Sequence, residues 1–181
     1  TAAGRVGAAG NTGVFNYINT FGGVTLNAAA RKGSGSANSD GSSSAAGQGA
    51  WDFALTTDGS MIGVDGLAIG VGYGEAENGS DAGSTLGDEE HSTAFANYSV
   101  GPVTFGYQMS YINSNVLGTD DRQTDAWGLA FNVNENLSVS YGERDVVYTD
   151  NAGDVTEQFD GIAVAYTMGS MKIAGNMNEV A

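Results

Sequence analysis

The sequence predicts an all-β protein, a transmembrane antiparallel up-and-down β-barrel to which this chain contributes about ten strands. Three observations carry this prediction. Apolar residues alternate with small or polar ones in short runs, the second face of these runs is almost free of charge, and the connections between runs alternate between short and long. A period of two indicates a strand, and an apolar face behind an uncharged polar face is typical of a strand that separates lipid from water.

Residues 93–114 show the pattern most clearly, as two strands joined at the short corner 100–102. After this corner, one face receives Val103, Phe105, Tyr107, Met109 and Tyr111, and the other receives Thr104, Gly106, Gln108 and Ser110. A strand of a soluble sandwich would carry Lys, Glu or Arg on its solvated face, and this second face has none. We therefore expect the apolar face to contact lipid or a neighbouring subunit, and the small polar face to line a water-filled lumen.

Four further strands are predicted before this hairpin. They cover residues 11–19, 24–32, 51–57 and 67–75. Their connections begin with a tight glycine turn at residues 21–23 and continue with a long Gly- and Ser-rich loop at 33–50. Residues 58–66 occupy the place of a short turn but are longer than one, and residues 77–92 form a long acidic connection.

Four strands are predicted after the hairpin. They cover residues 127–133, 137–148, 162–168 and 171–177. The connections at 134–136 and 169–170 are short, whereas those at 113–123 and 150–158 are long. Short turns on one rim and long loops on the other are typical of a membrane barrel. Aromatic residues near strand ends also match the interfacial girdles of such barrels, and they are Trp51, Tyr73, Tyr98, Tyr111, Trp127, Tyr141 and Tyr166.

Composition excludes several other classes of protein. The chain of 181 residues has no Cys, which excludes a disulfide framework and a thiolate metal site. With 6 Lys and Arg against 21 Asp and Glu, it lacks the cations that nucleic-acid binding requires. The 29 glycines raise the alternative of a disordered chain, but 41% hydrophobic residues placed in alternating runs favour ordered strands with Gly- and Ser-rich loops. No stretch of about 18 apolar residues is present, so a transmembrane helix is not expected.

Three segments resemble general diffusion porins of Gram-negative bacteria. Residues 11–26 resemble the strand, turn and strand that follow the constriction loop of these proteins. Residues 100–107 (Val-Gly-Pro-Val-Thr-Phe-Gly-Tyr) and 134–143 (Asn-Glu-Asn-Leu-Ser-Val-Ser-Tyr-Gly-Glu) are similar to the periplasmic turns of the alphaproteobacterial branch. The resemblance covers nearly the whole chain, and it consists of alternation and turn chemistry rather than of a catalytic signature.

The resemblance implies a barrel of about sixteen strands and a homotrimer in the bacterial outer membrane. The implied function is a water-filled channel for the passive diffusion of ions and small hydrophilic solutes, without enzyme activity. Residues 1–181 are then expected to be a single β-barrel region, with the N-terminal strands, the constriction loop and the last strand of the porin pattern outside it. A self-contained barrel made only of the strands in this chain is the alternative. The expected partners are outer-membrane lipid, lipopolysaccharide and the solutes.

Alternation assigns seven polar or charged residues to the water-filled face. They are Asn16, Arg31, Asp52, Gln108, Asn132, Arg144 and Lys172. We expect Arg31, Arg144 and Lys172 to form a basic wall of the pore that faces an acidic loop. In the porin family, opposed charges of this kind give a transverse field that orders polar solutes. The alternative is that each arginine only pairs with a neighbouring carboxylate or loop carbonyl near the rim.

Acidic residues are concentrated in the predicted long loops. They are Asp81, Asp88, Glu89, Glu90, Asp120, Asp121, Asp150 and Asp154. Several oxygen ligands can bind Ca²⁺, so loop-bound Ca²⁺ is one interpretation, but neither EF-hand nor β-roll spacing is present. A solvated surface that repels lipopolysaccharide or bridges it through divalent ions is favoured, and no cofactor is expected.

The acidic loops also define a second function class, an outer-membrane surface, adhesion or scaffold β-barrel without an open pore. In that class the loops themselves would be the working part of the protein. His91 is the only histidine and lies in one of the predicted loops. Catalysis of the Ser-His-Asp type would require this histidine in a cleft beside a nucleophile, and the sequence does not predict such a cleft.

Overall fold

A computed structural model describes residues 14–31, 49–77, 87–118, 120–150 and 153–180. Ten antiparallel strands form one sheet in it and follow each other in chain order. The strands are β1 (Val14–Phe21), β2 (Val24–Arg31), β3 (Ala50–Asp58), β4 (Leu67–Ala76), β5 (Glu89–Val100), β6 (Val103–Asn113), β7 (Asp121–Asn132), β8 (Leu137–Asp150), β9 (Gly153–Met168) and β10 (Met171–Val180). The predicted number of strands and their up-and-down order are confirmed.

The strand register keeps two faces apart across the whole sheet. Tyr107 lies opposite Trp127, and the next residue, Gln108, lies opposite Ala126. Because paired residues share a face, every strand contributes alternate residues to the same two surfaces. We call the surface that carries Tyr107 and Trp127 the outer face, and the surface that carries Gln108 and Ala126 the inner face.

The outer face holds most of the large apolar side chains and leaves them exposed. Val71 is 51% exposed, Phe105 46% and Leu129 44%. Among the residues that the structure describes, the only hydrophobic ones that are buried are Ala50 and Val146. A sheet with this distribution has no apolar core of its own, so its outer face needs an apolar surrounding such as lipid.

The sheet is open in the described part of the chain. The first strand, β1, pairs with β2, and the last strand, β10, pairs with β9, but no pairing joins β1 to β10. Both edges therefore present backbone N–H and C=O groups that no described strand satisfies.

Glycine forms the tight turns of one rim. Gly22 and Gly23 both have a positive φ between β1 and β2, and Gly101 and Gly169 do so in two later turns. This backbone conformation is strained for residues with a Cβ. The longer connection in this rim, residues 58–66, contains a 3₁₀ helix, Gly59–Ile62. Its extra length is thus taken up by a local helix at the same rim.

The strands extend further than predicted at the other rim. The fifth strand begins at Glu89 and the seventh at Asp121, inside segments expected to be loops. The loop predicted at residues 150–158 is wrong, because β8 and β9 pair up to Asp150 and Gly153. Polar and apolar residues are mixed on both faces in this region, so the regular apolar alternation ends while the backbone ladder continues.

Several predicted segments lie outside the described residues. These are the N-terminal loop at 1–10, the first residues of the strand predicted at 11–19, most of the loop at 33–50, and the acidic residue Asp81. The turns and strands that flank these segments are described, so the order of the sheet does not depend on them. Within the described ranges, no helix is long and apolar enough to cross a membrane.

Candidate pore-lining face

All seven residues predicted to line a lumen share the inner face. They are Asn16, Arg31, Asp52, Gln108, Asn132, Arg144 and Lys172. They do not form one cluster, since Arg31 lies on β2 and Arg144 on β8, with five strands between them. Asp52 is buried at 8% exposure, whereas Arg144 and Lys172 are exposed.

The middle of the inner face is bare backbone. Four glycines lie opposite one another on four neighbouring strands, and they are Gly106, Gly128, Gly142 and Gly161. Asn97 pairs with the first of them and Asn178 with the last. The amide oxygens of both asparagines lie over these glycines, in the space that a Cβ would need. A cavity of about 610 Å³ lies over this row, which we call the glycine row.

Two arginines of the inner face lie on aromatic rings, and one of them, Arg144, lines this cavity. The guanidinium carbon of Arg144 is 4.2 Å from the ring centroid of Phe159, its partner on β9. The guanidinium carbon of Arg122 is 5.6 Å from the ring centroid of Tyr148, its partner on β8. Both distances are within the range of about 6 Å in which a cation is attracted to an aromatic face.

Glu157 lies on β9, diagonally across from Arg144, and forms an ion pair with neither arginine. It is opposite Val146 on β8, one inner-face position from Arg144 and one from Tyr148. The hydroxyl of Tyr148 donates a hydrogen bond of 3.3 Å to its Oε2. Within the described ranges, neither Arg122 nor Arg144 has a carboxylate oxygen within 4.0 Å. The alternative that each arginine only pairs with a neighbouring carboxylate near the rim therefore does not describe Arg144 among the described residues.

His91 lies on strand β5, which corrects its predicted place in a loop. Its Nε2 is 2.6 Å from Oε1 of Glu89, also on the inner face. Among the residues with described positions, no serine hydroxyl is hydrogen bonded to His91. A catalytic triad would need a serine nucleophile bonded to this histidine as well, and in the described residues His91 contacts a carboxylate instead.

The outer face ends in aromatic side chains bonded to carboxylates at the rim opposite the tight turns. Tyr73 donates to Glu75 over 2.8 Å. Tyr141 and the indole N–H of Trp127 both donate to Glu143, over 2.6 Å and 3.1 Å. The polar edges of these rings thus point toward the charged rim and away from the apolar band, as in the girdles of membrane barrels.

The described basic residues all lie on one face, whereas acidic residues lie on both. All four basic residues with described positions lie on the inner face, and they are Arg31, Arg122, Arg144 and Lys172. The charged residues that the strands carry on the outer face are acidic, and they are Glu75, Glu90, Asp121, Asp125, Glu143, Asp145, Asp154, Asp160 and Glu179. The described part of the chain contains no group of three or more acidic, His or Cys side chains arranged to hold a metal ion.

Four further residues on the inner face are not among those predicted from the sequence to line a lumen. They are Arg122, Tyr148, Glu157 and Phe159. Arg122 has the parity of the inner residues Thr124 and Ala126 on the same strand, so extending the alternation backwards would have found it. Glu157 lies in the loop predicted at residues 150–158 and Phe159 lies beside it, so the apolar alternation assigns neither residue to a face.

Comparisons with known proteins agree with this architecture. A family model described as Gram-negative porin matches residues 1–179. The fold is similar to a loop L8 deletion mutant of OmpT, an outer membrane protein of Vibrio cholerae, with a TM-score of 0.68 and 14% identity over 92% of this chain and 56% of that chain. In-vitro folded OmpT of the same organism gives 0.69 and 14% over 92% and 53%. A solved porin gives 0.68 and 13% over 92% and 56%.

The matched structures are longer than this chain, which spans a little over half of their length. A search of curated protein sequences found no match. At 13–14% identity the solved structures show the fold alone, whereas the family model covers the sequence almost from end to end. The family match confirms the resemblance read from the turns and places the protein in the bacterial outer membrane. The chain belongs to the Gram-negative porin family.

Proposed function

We propose that this chain forms part of the wall of an outer-membrane channel through which ions and small hydrophilic solutes diffuse passively. One observation carries the proposal: a single sheet exposes large apolar side chains on its outer face and glycines, amides and cations on its inner face. Such a sheet separates lipid from water. The lining residues are Asn16, Arg31, Asp52, Gln108, Asn132, Arg144 and Lys172, joined by Arg122. The proposed role involves no catalysis.

Further strands complete the barrel in this proposal. In lipid, the open edges of β1 and β10 would leave backbone groups without hydrogen-bond partners, at a cost of several kcal/mol for each group. Additional strands at these edges would satisfy those groups, and the greater length of the matched porin structures leaves room for them. The outer face then contacts lipid, lipopolysaccharide or the other subunits of a homotrimer.

The decisive experiment is single-channel recording from the full-length protein in planar bilayers. We expect discrete ohmic current steps, because an open water-filled lumen conducts in proportion to voltage. Folding is checked beforehand by migration on SDS gels with and without heating. A folded, assembled protein that gives no steps would contradict the channel and would favour a surface or scaffold barrel.

The channel carries opposed charges in this proposal. Arg122, Arg144 and Lys172 lie on β7, β8 and β10, and Asp52 and Glu89 lie on β3 and β5. Glu157 on β9 is the one described acidic side chain of the inner face among these three cations. Basic and acidic sides of one inner face would give a field across the lumen, in which Arg31 on β2 belongs to the acidic side rather than to the basic wall.

Replacing Arg144 with Ser is expected to move the reversal potential in a KCl gradient toward cation selectivity. The exposed guanidinium attracts anions into the lumen, and its removal lowers their local concentration. The matched control is Glu143→Gln, which changes the charge of the neighbouring residue on the outer face and should leave the reversal potential unchanged. Equal effects of both substitutions would contradict the basic wall.

A further inference from the structure

Phe159 is one of three Phe, Tyr or Trp residues that the described strands carry on the inner face, and the others are Phe95 and Tyr148. Its inner-face neighbours on β9 are Glu157 and Gly161, and Gly161 belongs to the glycine row. A phenyl ring in a water-filled lumen exposes apolar surface to water unless another group covers it. The guanidinium of Arg144 provides that cover, with 4.2 Å between its carbon and the ring centroid.

Arg144 contacts this ring although an acidic side chain, Glu157, lies within its reach. Glu157 lies diagonally across from Arg144, two residues before Phe159 on the same face. Diagonal neighbours on adjacent strands lie about 7–8 Å apart, which long side chains can span. Arg144 and Glu157 nevertheless form no ion pair within 4.0 Å, and the carboxylate accepts from Tyr148 instead.

The same division of partners is found at Arg122. Its guanidinium lies over the ring of Tyr148, whose hydroxyl binds Glu157. Arg122 and Arg144 therefore each contact an aromatic ring rather than the carboxylate of Glu157. Neither guanidinium has a carboxylate oxygen of the described residues within 4.0 Å, and Arg144 borders the cavity over the glycine row.

We infer that Phe159 is a positioning residue that holds Arg144 against the channel wall, out of an ion pair with Glu157, and thereby maintains the attraction of this cation for anions in the lumen. This inference rests on the proposed channel function. A guanidinium paired with a carboxylate about 4 Å away attracts a passing anion far less than an unpaired one, since the two opposite charges largely cancel at a distance.

The test measures reversal potentials of the full-length protein in a KCl gradient. Phe159→Leu removes the aromatic face while it retains an apolar side chain, so it frees Arg144 to reach Glu157. We expect it to shift the reversal potential in the direction of Arg144→Ser and by at least half as much. Phe159→Tyr retains the ring and should behave as the wild type. Phe159→Met serves as a second variant without a ring if the leucine variant does not assemble.

A double-mutant cycle separates positioning from a merely structural role. In a Glu157→Gln background, Phe159→Leu should no longer shift the reversal potential relative to Glu157→Gln alone, because no carboxylate is left to neutralise Arg144. A shift that persists in this background, or no shift from either ringless variant, would overturn the positioning role. Failure of the wild-type protein to conduct would instead contradict the proposed function itself, so the two failures are distinguishable.

Discussion

Replacing Leu129 with Arg is expected to lower the free energy of unfolding of the membrane-inserted protein by about 2–4 kcal/mol. Leu129 lies on the outer face of β7, with Phe105 and Tyr141 opposite it on the two neighbouring strands. Its side chain is 44% exposed, and the surface around it is apolar. A guanidinium at this position would have to enter hydrocarbon or bend toward the interface, and both cost free energy.

The matched control is Ala130→Arg, one residue along the same strand. Ala130 lies on the inner face between Thr104 and Ser140, so its arginine would enter water and should change the stability by no more than about 0.5 kcal/mol. Urea unfolding in lipid vesicles, followed by tryptophan fluorescence, gives both values. Equal destabilisation by the two variants would mean that both faces meet the same surroundings and would contradict the assignment of the faces.

This pair of variants relies on the part of the fold that the sequence predicts well. Tyr107 and Gln108 fall on opposite faces in the structure, as the alternation predicts. The prediction succeeds because a wall between lipid and water imposes its two-residue period locally, on every strand that crosses it. Neither distant contacts nor a shared core is needed to read it.

The ends of the strands cannot be predicted from the apolar alternation. Beyond the aromatic rim polar and apolar residues are mixed on both faces, and regular apolar alternation no longer distinguishes a strand from a loop. Asp150 and Gly153 are nevertheless paired, because backbone hydrogen bonding does not depend on which side chains the strand carries. Sequence reasoning based on apolar residues therefore stops at the membrane boundary, several residues before the strand ends.

The contacts of the arginines could not be predicted for a related reason. Arg144 meets Phe159 only because β8 and β9 pair in one register, which follows from the short connection after Asp150. With a long loop predicted at residues 150–158, the sequence does not predict this register. The contacts around Glu157 depend on the register, so they are not predicted either. A candidate lining residue can thus be assigned to a face by parity, whereas its partners require the pairing of strands.

The glycine row offers the most direct test of how the inner face determines permeation. Gly128 lies near its middle, between Gly106 and Gly142. A Cβ added there would meet only the backbone oxygen of Tyr141, at an ordinary contact distance of 3.5 Å. The backbone can therefore accept a side chain at this position, and a large one would project into the cavity of about 610 Å³.

Single-channel conductance is expected to fall in the order Gly128→Ala, Gly128→Leu and Gly128→Phe, with the largest loss for the phenyl ring, because each side chain removes more of the water-filled cross-section than the one before. Gly175→Phe is the control. Gly175 lies opposite Val164 on the outer face, and an added Cβ there meets nothing within 4 Å. Its phenyl ring would join the apolar surface and leave the conductance unchanged. Loss of conductance in the control alone would place the lumen on the other side of the sheet.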